Sequence, residues 1–192
     1  MKKLRLFSLG LSLTLALSAV AGEKLTLKGI MSGEFRSQSM SAVRPMADGE
    51  TYAQISDDGK RIVTYSFRTG KQVGVLFDAA TARGAEVKNV DGYILSPDGS
   101  RILIQTNTKA IYRRSFTATY YIYSVRNNKL EPLSDGGPQQ TPVFSPDGNQ
   151  IAFVRYNNIW LVKLLYDNAE SQVTKDGKRN EIINGIPDWV YE

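Results

Sequence analysis

The sequence LSPDGSRIL at residues 95–103 has two close relatives in the same chain, ISDDGKRIV at residues 55–63 and FSPDGNQIA at residues 144–152. Each copy places a Ser-Pro-Asp-Gly or Ser-Asp-Asp-Gly turn between two apolar runs. Proline presets the backbone at the second turn position, aspartate bonds to its own turn, and glycine adopts the conformation that other residues avoid. Each copy therefore predicts a tight hairpin that joins two β-strands.

The spacing of the three turns predicts how the hairpins are assembled. Gly59 and Gly99 are 40 positions apart, and Gly99 and Gly148 are 49 positions apart. Repeats near this period are typical of four-stranded propeller blades. We therefore expect an all-β fold, a partial β-propeller of repeated four-stranded antiparallel blades that occupies residues 49–192.

Further strands of each blade are predicted by runs of β-branched and aromatic residues around the turns. The expected strands are residues 51–55, 62–66 and 72–78 in the first blade, residues 90–95, 101–106, 117–125 and 130–133 in the second, and residues 141–144, 151–154, 159–164 and 171–174 in the third. Residues 79–84 are expected to form a loop or a helical turn. Both faces of the strand at residues 117–125 are apolar or aromatic, so the second blade should pack between two neighbours.

The N-terminal residues predict a secretory signal. Three basic residues in the first five positions precede an apolar run at residues 6–20, and residues 19–21 offer a cleavage site before Gly22. The run is short for a membrane-spanning helix, and a retained membrane anchor is the alternative interpretation. We expect residues 1–21 to be removed and the mature chain to be periplasmic or otherwise exported, without membrane attachment.

A lead-in segment at residues 22–48 would then connect the signal to the first blade. Residues 24–30 alternate in a way that favours a strand, and the polar residues 32–47 favour one short helix or turn. No function follows from this segment.

Composition and charge exclude several kinds of site. The chain has no His and no Cys, so it cannot by itself build a Ser-His-Asp or Cys-His catalytic centre, a disulfide or an imidazole-ligated metal site. The net charge of +5 falls to +2 without residues 1–21, which hold three basic residues and no acidic residue. We expect no cofactor, no metal, no nucleic-acid partner and no catalytic residue in this chain.

Three blades cannot close a ring, because a propeller needs about four to eight blades. A sheet edge would also stay open at each end, which favours aggregation. We therefore expect these 192 residues to be the N-terminal part of a longer protein.

Two stretches resemble a known family in more than their propeller turns. They are YRRSFTATYYIY at residues 112–123 and NGIPDWVYE at residues 184–192. Both are similar to segments of the dipeptidyl peptidase IV family, serine exopeptidases within the prolyl oligopeptidase group. The resemblance runs from about the first blade to the end of the chain, and DWVYE is its most specific part.

The resemblance implies a function and two site residues. It implies that an α/β-hydrolase domain with the catalytic triad follows the propeller, and that the parent enzyme releases Xaa-Pro or Xaa-Ala dipeptides from free peptide N-termini. Arg113 would bind a backbone carbonyl of the substrate, with Arg114 as the alternative because the family often has histidine there. Glu192 would open a run of glutamates, of which the next two bind the substrate's α-amine. The family commonly forms homodimers through later parts of the protein.

The chemistry of these residue types fits an exopeptidase. A desolvated ammonium needs carboxylates within hydrogen-bond distance, and a guanidinium presents a planar fork of donors that lysine lacks. Each residue also has a structural interpretation: Arg113 at a solvated hairpin tip, Trp189 and Tyr191 in an apolar docking patch, and Glu192 only orienting its neighbours. The Asp-Gly turns are expected to be structural, because no further ligands converge on them.

Two functions therefore remain open. The favoured one is the N-terminal part of an exported dipeptidyl peptidase, in which the propeller limits entry to short or unstructured peptides and supplies substrate-binding groups. The alternative is a propeller-only periplasmic protein that binds a partner protein or a glycan without catalysis, since the same strands would serve it equally well.

Overall fold

The structure is a computed structural model and describes residues 25–37 and 42–187. The chain divides into two compact units, residues 1–40 and residues 41–192. The signal predicted at residues 1–21 lies outside the described residues. Within the described part of the chain, no helix is both long and apolar enough to cross a membrane.

The described part of the first unit contains one helix, α1 (Leu27–Ser32). The Thr26 side chain caps its start by accepting a hydrogen bond from the Gly29 amide at 3.0 Å. Gly33 ends the helix in the left-handed conformation with a φ of 79°. The strand expected at residues 24–30 is therefore wrong, because the cap and the terminating glycine favour a helix despite the alternation of apolar residues.

The described part of the second unit consists of three sheets, which we call blades 1, 2 and 3. Their strands are β1 (Arg44–Pro45), β2 (Thr51–Ile55), β3 (Arg61–Ser66), β4 (Gln72–Asp78), β5 (Arg83–Gly84), β6 (Gly92–Leu95), β7 (Arg101–Tyr112), β8 (Ser115–Ser124), β9 (Lys129–Pro132), β10 (Gln140–Phe144), β11 (Gln150–Arg155), β12 (Asn158–Lys163) and β13 (Ala169–Gln172). The strand order is β1-β2-β3-β4 in blade 1, β5-β9-β8-β7-β6 in blade 2 and β10-β11-β12-β13 in blade 3. The strands pair antiparallel except for β5 and β9, which are parallel. The predicted all-β fold of repeated antiparallel blades is confirmed.

The repeated turns are stabilised by one set of hydrogen bonds. In blade 2, the Ser96 hydroxyl donates to Asp98 Oδ1 at 2.6 Å and accepts from the Arg101 amide at 2.9 Å. The Ser100 amide donates to Asp98 Oδ1 at 3.1 Å, and Gly99 takes a positive φ of 68°. The same contacts recur at Ser56 with Asp58 and at Ser145 with Asp147. The hairpins expected from the turn sequences are confirmed. The serine of each turn contributes two of the hydrogen bonds that stabilise it.

Blade 1 differs from the other blades at both of its edges. At one edge β1 adds a strand, and the Asp48 carboxylate shapes the turn to β2 by accepting hydrogen bonds from the Glu50 and Thr51 amides at 2.9 Å each. At the other edge the chain leaves β4 and forms β5 on blade 2, so β4 has no outer partner within the described residues. β1 thus belongs to blade 1 although its residues fall in the expected lead-in segment, and β5 is a strand where a loop was expected.

Blade 2 buries both of its faces. The buried residues that it shares with blade 1 are Ala53, Ile62, Phe77, Val90, Tyr93, Ile102, Ile104, Tyr123 and Leu130. The buried residues that it shares with blade 3 are Leu103, Ala118, Tyr120, Ile122, Leu133, Phe144, Ile151, Phe153, Val162 and Leu164. Burying one large apolar side chain contributes about 1.5–3 kcal/mol, so these two cores hold the three blades together. The expectation that the second blade packs between two neighbours is confirmed.

Candidate functional site

The two central strands of blade 2 extend well beyond their blade. β7 has 12 residues and β8 has 10, whereas the other described strands have seven or fewer. The first six residues of β7 are buried or half-buried, and the last six, residues 107–112, are all exposed. We call the projecting part of this hairpin, residues 107–117, the arm. The sequence predicted a strand only as far as residue 106, because residues 107–109 carry no apolar alternation.

The foot of the arm is fixed by a β-bulge. The pairing register of β7 and β8 shifts just after Thr106, and Asn107 has a positive φ of 53°. The Thr108 amide donates to Asp91 Oδ2 at 2.9 Å, and the Gln105 side chain donates to the Thr108 hydroxyl at 2.8 Å. These bonds hold the arm in a fixed position relative to blade 2.

Arg113 lies at the tip of the arm, between the end of β7 and the start of β8. Its φ of 23° falls outside the favoured regions for a residue other than glycine, and such strained positions cluster at functional sites. The guanidinium carbon lies 5.4 Å from the centroid of the Tyr112 ring. Arg113 and Arg114 are both exposed, and neither pairs with a carboxylate within residues 25–37 and 42–187. The tip therefore offers an accessible fork of hydrogen-bond donors.

Glu192, the other predicted substrate-binding residue, lies outside the described residues, as do Trp189 and Tyr191. That Arg113 and Glu192 share a site stays a prediction. The structure describes the chain as far as Pro187 and shows the hydrogen bonds that fix the residues before it.

The chain that leads to Glu192 is held by the turn between β11 and β12, residues 155–158, which we call the hub turn. Oδ1 of Asn158 accepts hydrogen bonds from the Thr174 hydroxyl at 3.1 Å and from the Gly177 amide at 2.9 Å. The carbonyl of Asn157 accepts from the Asn184 amide at 3.1 Å. Residues 173–187, which we call the anchored segment, are thus attached to the hub turn through Thr174, Gly177 and Asn184.

Arg155, the first residue of the hub turn, fastens blade 3 to blade 2. Its side chain is 5% exposed, and its guanidinium carbon lies 3.9 Å from the centroid of the Trp160 ring. The guanidinium donates to Glu170 Oε1 at 2.5 Å and to the Ser134 hydroxyl in the loop after β9. Gly136 leaves the space for it, because a methyl group at that position would overlap the guanidinium. The partners of this arginine are thus residues of the fold itself, and the Glu170 side chain stays 24% exposed.

Gln139 ties the arm to the same junction and is fully buried. Its backbone exchanges two hydrogen bonds, of 3.0 and 2.8 Å, with Ala118 at the base of the arm. Its side-chain oxygen accepts from the Tyr120 amide at 3.0 Å, and its side-chain nitrogen donates to the Gly137 carbonyl at 2.6 Å. No motif in the sequence singled out this glutamine or Asn158.

Two surface concavities of blade 3 lie away from the arm. One of about 520 Å³ is lined by residues that include Val143 and Leu161, and one of about 380 Å³ is lined by residues that include Lys163 and Tyr166. Both are lined by Gln150 at the start of β11, whereas the hub turn lies at its end. Neither is lined by the arm, so the arm and the hub turn remain the candidate site.

The turn aspartates have a structural part in the fold. Hydrogen bonds from the Ser96 hydroxyl and from Ser100 hold the pKa of Asp98 well below its ordinary value. Serine hydroxyls and turn amides likewise lower the pKa of Asp58 and of Asp147. Within the described residues, His, Cys, Asp and Glu form no group of three or more that could hold a metal ion.

Sequence comparisons identify similar proteins over most of the chain. The family "Dipeptidyl peptidase IV (DPP IV) N-terminal region" matches residues 96–192, just over half of the chain. Prolyl endopeptidase FAP from Homo sapiens is 36% identical over 170 residues, which cover 88% of this chain and 21% of that protein. Probable dipeptidyl-aminopeptidase B from Podospora anserina is 34% identical over 190 residues, covering 89% of this chain and 20% of that protein. The chain spans about a fifth of the length of these relatives.

A solved structure agrees with these sequence matches. The crystal structure of Porphyromonas gingivalis dipeptidyl peptidase 4 aligns with a TM-score of 0.82 and 42% sequence identity, covering 87% of this chain and 24% of that one. Similarity in sequence and similarity in backbone therefore point to the same group of proteins.

Proposed function

The chain belongs to the dipeptidyl peptidase IV family as its N-terminal region, and from this premise we propose that it forms the substrate-recognition part of an exported enzyme that releases Xaa-Pro or Xaa-Ala dipeptides. The arm carries this proposal, because it presents the Arg113 guanidinium to solvent without a carboxylate partner among the described residues. A guanidinium in this state has its donors available to a peptide ligand.

In this proposal Arg113 and the acidic run that begins at Glu192 bind different groups at the N-terminus of the peptide substrate. Arg113 donates hydrogen bonds to a backbone carbonyl near the substrate's N-terminus, and the carboxylates that follow Glu192 receive the α-ammonium. A hydrogen bond that involves a charged group contributes about 1.5–3 kcal/mol, so two such contacts can select for a free N-terminus. In this proposal the nucleophile and its histidine are supplied by a part of the enzyme outside this chain, which contains no His.

Access and location are part of the same proposal. The propeller limits entry to short or unstructured peptides with a free N-terminus and with proline or alanine in second place. The basic residues and apolar run at residues 1–20 direct the protein out of the cytoplasm, to the periplasm or beyond. The names of the relatives, a prolyl endopeptidase and a dipeptidyl-aminopeptidase, support peptidase chemistry for the parent protein.

The test is an activity assay on the full-length protein that carries this chain. A chromogenic Gly-Pro amide should be hydrolysed, and its N-acetylated form should not, because acetylation removes the ammonium. Arg113→Ala is expected to lower kcat/KM by about 10- to 150-fold, the equivalent of one charged hydrogen bond. Arg126→Ala is the matched control: Arg126 is exposed at the other end of β8, and its loss should change kcat/KM less than about twofold.

The possible results separate the family from the site. A full-length protein that is inert toward every N-terminal Xaa-Pro substrate overturns the proposal and favours a propeller that binds a partner protein or a glycan. Unchanged turnover in Arg113→Ala removes the site assignment alone. A loss confined to Arg114→Ala would move the assignment to the neighbouring arginine.

A further inference from the structure

We infer that Asn158 is a positioning residue for peptide recognition, which holds the chain leading to the acidic run in a fixed place relative to the arm. Its kinetic consequence rests on the function proposed above. Its structural part rests on contacts among the described residues alone.

The Asn158 side chain is buried, and both of its polar atoms are hydrogen-bonded. It is 8% exposed, and Oδ1 accepts the two hydrogen bonds from Thr174 and Gly177. Its Nδ2 donates to the carbonyl of Tyr156 at 3.1 Å. Tyr156 and Asn157 both have positive φ, of 50° and 60°, which is the backbone of a type I′ hairpin turn. The amide therefore closes a strained turn on one side and anchors a separate segment on the other.

The anchored segment has little freedom between blade 3 and the acidic run. Beyond Val173 and Thr174, which bond to β12, its first attachment is at Gly177, which lies so close to the Asn157 carbonyl that a methyl group would overlap it. Its second is at Asn184, whose amide donates to the same carbonyl and whose side chain donates to Asp176 Oδ1 at 3.0 Å. Gly185 then packs against Val154 and Ile159, where a methyl group would lie 2.7 Å from Val154 Cγ2. Only residues 186 and 187 separate this contact from residue 188.

Backbone pairing connects the hub turn to the arm without interruption. Within the arm, Lys109 pairs with Thr117, and the next residue, Ala118, bridges to Gln139. Gln140 pairs with Val154, which directly precedes the hub turn. The arm and the anchored segment are therefore both attached to one continuous set of paired strands. Loss of the Asn158 hydrogen bonds should make the anchored segment more mobile and leave the position of Arg113 unchanged.

A merely structural amide would behave differently, and Asn128 provides the comparison. Its Oδ1 accepts from the Tyr123 hydroxyl at 2.9 Å, and its Nδ2 donates to the Thr81 carbonyl at 2.8 Å. It follows β8 at the end opposite to the arm. Asn128→Ala should therefore remove two side-chain hydrogen bonds without changing any contact of the anchored segment.

The experiment uses the full-length protein with Asn158→Ala, Asn158→Asp and Asn128→Ala. In Asn158→Ala, KM for the Gly-Pro amide should rise about tenfold while kcat changes less than about twofold, because binding geometry is lost and the chemistry is not. Asn158→Asp keeps the acceptor oxygen for Thr174 and Gly177 but loses the donor to the Tyr156 carbonyl, so KM should rise by a smaller factor than in Asn158→Ala. Hydrogen exchange is measured in parallel: the Gly177 amide should lose at least about tenfold of its protection in Asn158→Ala and none in Asn128→Ala.

Each outcome decides the inference. Faster exchange at Gly177 with an unchanged KM overturns the positioning role, and so does a KM that rises equally in Asn128→Ala. If Asn158→Ala fails to fold, Thr174→Val removes one hydroxyl donor at nearly constant volume and should change KM in the same direction by a smaller factor. An inert wild-type protein defeats the proposed function and the kinetic claim with it, and unaltered exchange at Gly177 then defeats the structural claim as well.

Discussion

Arg113 at the tip of the arm and Arg155 at the junction of blades 2 and 3 place the same side chain in opposite surroundings. Arg113 is exposed and lies 5.4 Å from the Tyr112 ring. Arg155 is 5% exposed, lies 3.9 Å from the Trp160 ring and bonds to Glu170. A guanidinium whose N–H donors are used inside the fold has few left for a ligand. A guanidinium without a carboxylate partner in the fold keeps its donors available to a ligand. The difference assigns Arg155 to folding and leaves the Arg113 guanidinium available for the recognition role proposed above.

The local sequence does not reveal this difference. Arg113 follows a tyrosine and Arg155 precedes one, and both lie next to a hairpin turn. What separates them is the neighbouring chain: the loop with Ser134 and Gly136 closes over Arg155, and no described segment closes over the arm tip in the same way.

The largest expected effect is on the buried member of the pair. Arg155→Ala should lower the free energy of unfolding by about 3 kcal/mol, because it leaves Glu170 partly buried without its cation and opens space beside Trp160. Arg113→Ala should change it by less than about 0.5 kcal/mol, as is usual for exposed side chains. Urea unfolding followed by tryptophan fluorescence measures both. Equal losses of stability in the two variants would break the comparison.

A smaller loss is expected from filling the space that Arg155 occupies. Gly136→Ala puts a methyl group against the guanidinium and should destabilise the fold by about 1–3 kcal/mol through overpacking. The double variant Gly136→Ala with Arg155→Ala has no such clash. Its loss of unfolding free energy should therefore be clearly smaller than the sum of the losses in the two single variants. The same urea titrations test this, and strict additivity would show that Gly136 matters for another reason.

The smallest effect concerns the turns that all three blades share. The pKa of Asp98 is lowered in the folded state by its hydrogen bonds, so its contribution to stability is present above the unfolded pKa of 3.8 and is lost as the pH falls below about 4. Asp98→Asn should therefore flatten the fall of Tm between pH 5 and pH 2.5, on the order of a few degrees.

Asp57→Asn is the control for this pH series, since the Asp57 side chain accepts no hydrogen bond from the part of the chain that the structure describes. It occupies the proline position of the same type of turn. A Tm profile that responds equally to both substitutions would contradict the assignment of the acid sensitivity to the bonded carboxylate.

The hairpins could be predicted because their cause is local. A serine, an aspartate and a glycine within four positions bond to one another and set the turn without help from the rest of the chain. Asp48-Gly49 carries part of this signal, and its turn brings β1 into blade 1. This turn could have been found from its Asp-Gly pair, although methionine and alanine stand where the other turns have serine and proline or aspartate.

The arm and the amide anchors could not be predicted in the same way. Residues 107–112 extend β7 because β8 pairs with them, and their exposed, mixed side chains have no strand periodicity. Gln139 and Asn158 act on segments that are 19 to 21 residues away in sequence, at Tyr120 and Ala118 in one case and at Gly177 in the other. Neither glutamine nor asparagine indicates by its type alone that its partners lie so far away in the sequence.

By itself the sequence determined the number of repeated turns, the strands that flank them, the two apolar faces of blade 2 and the family to which the chain belongs, because each of these is written in neighbouring residues or in a matched motif. Only the tertiary structure decided which arginine is enclosed, how far the arm projects and which amides hold the chain toward residue 188. Those properties depend on partners that meet only when the blades pack, and hydrogen bonds between distant segments leave no periodic pattern in the sequence.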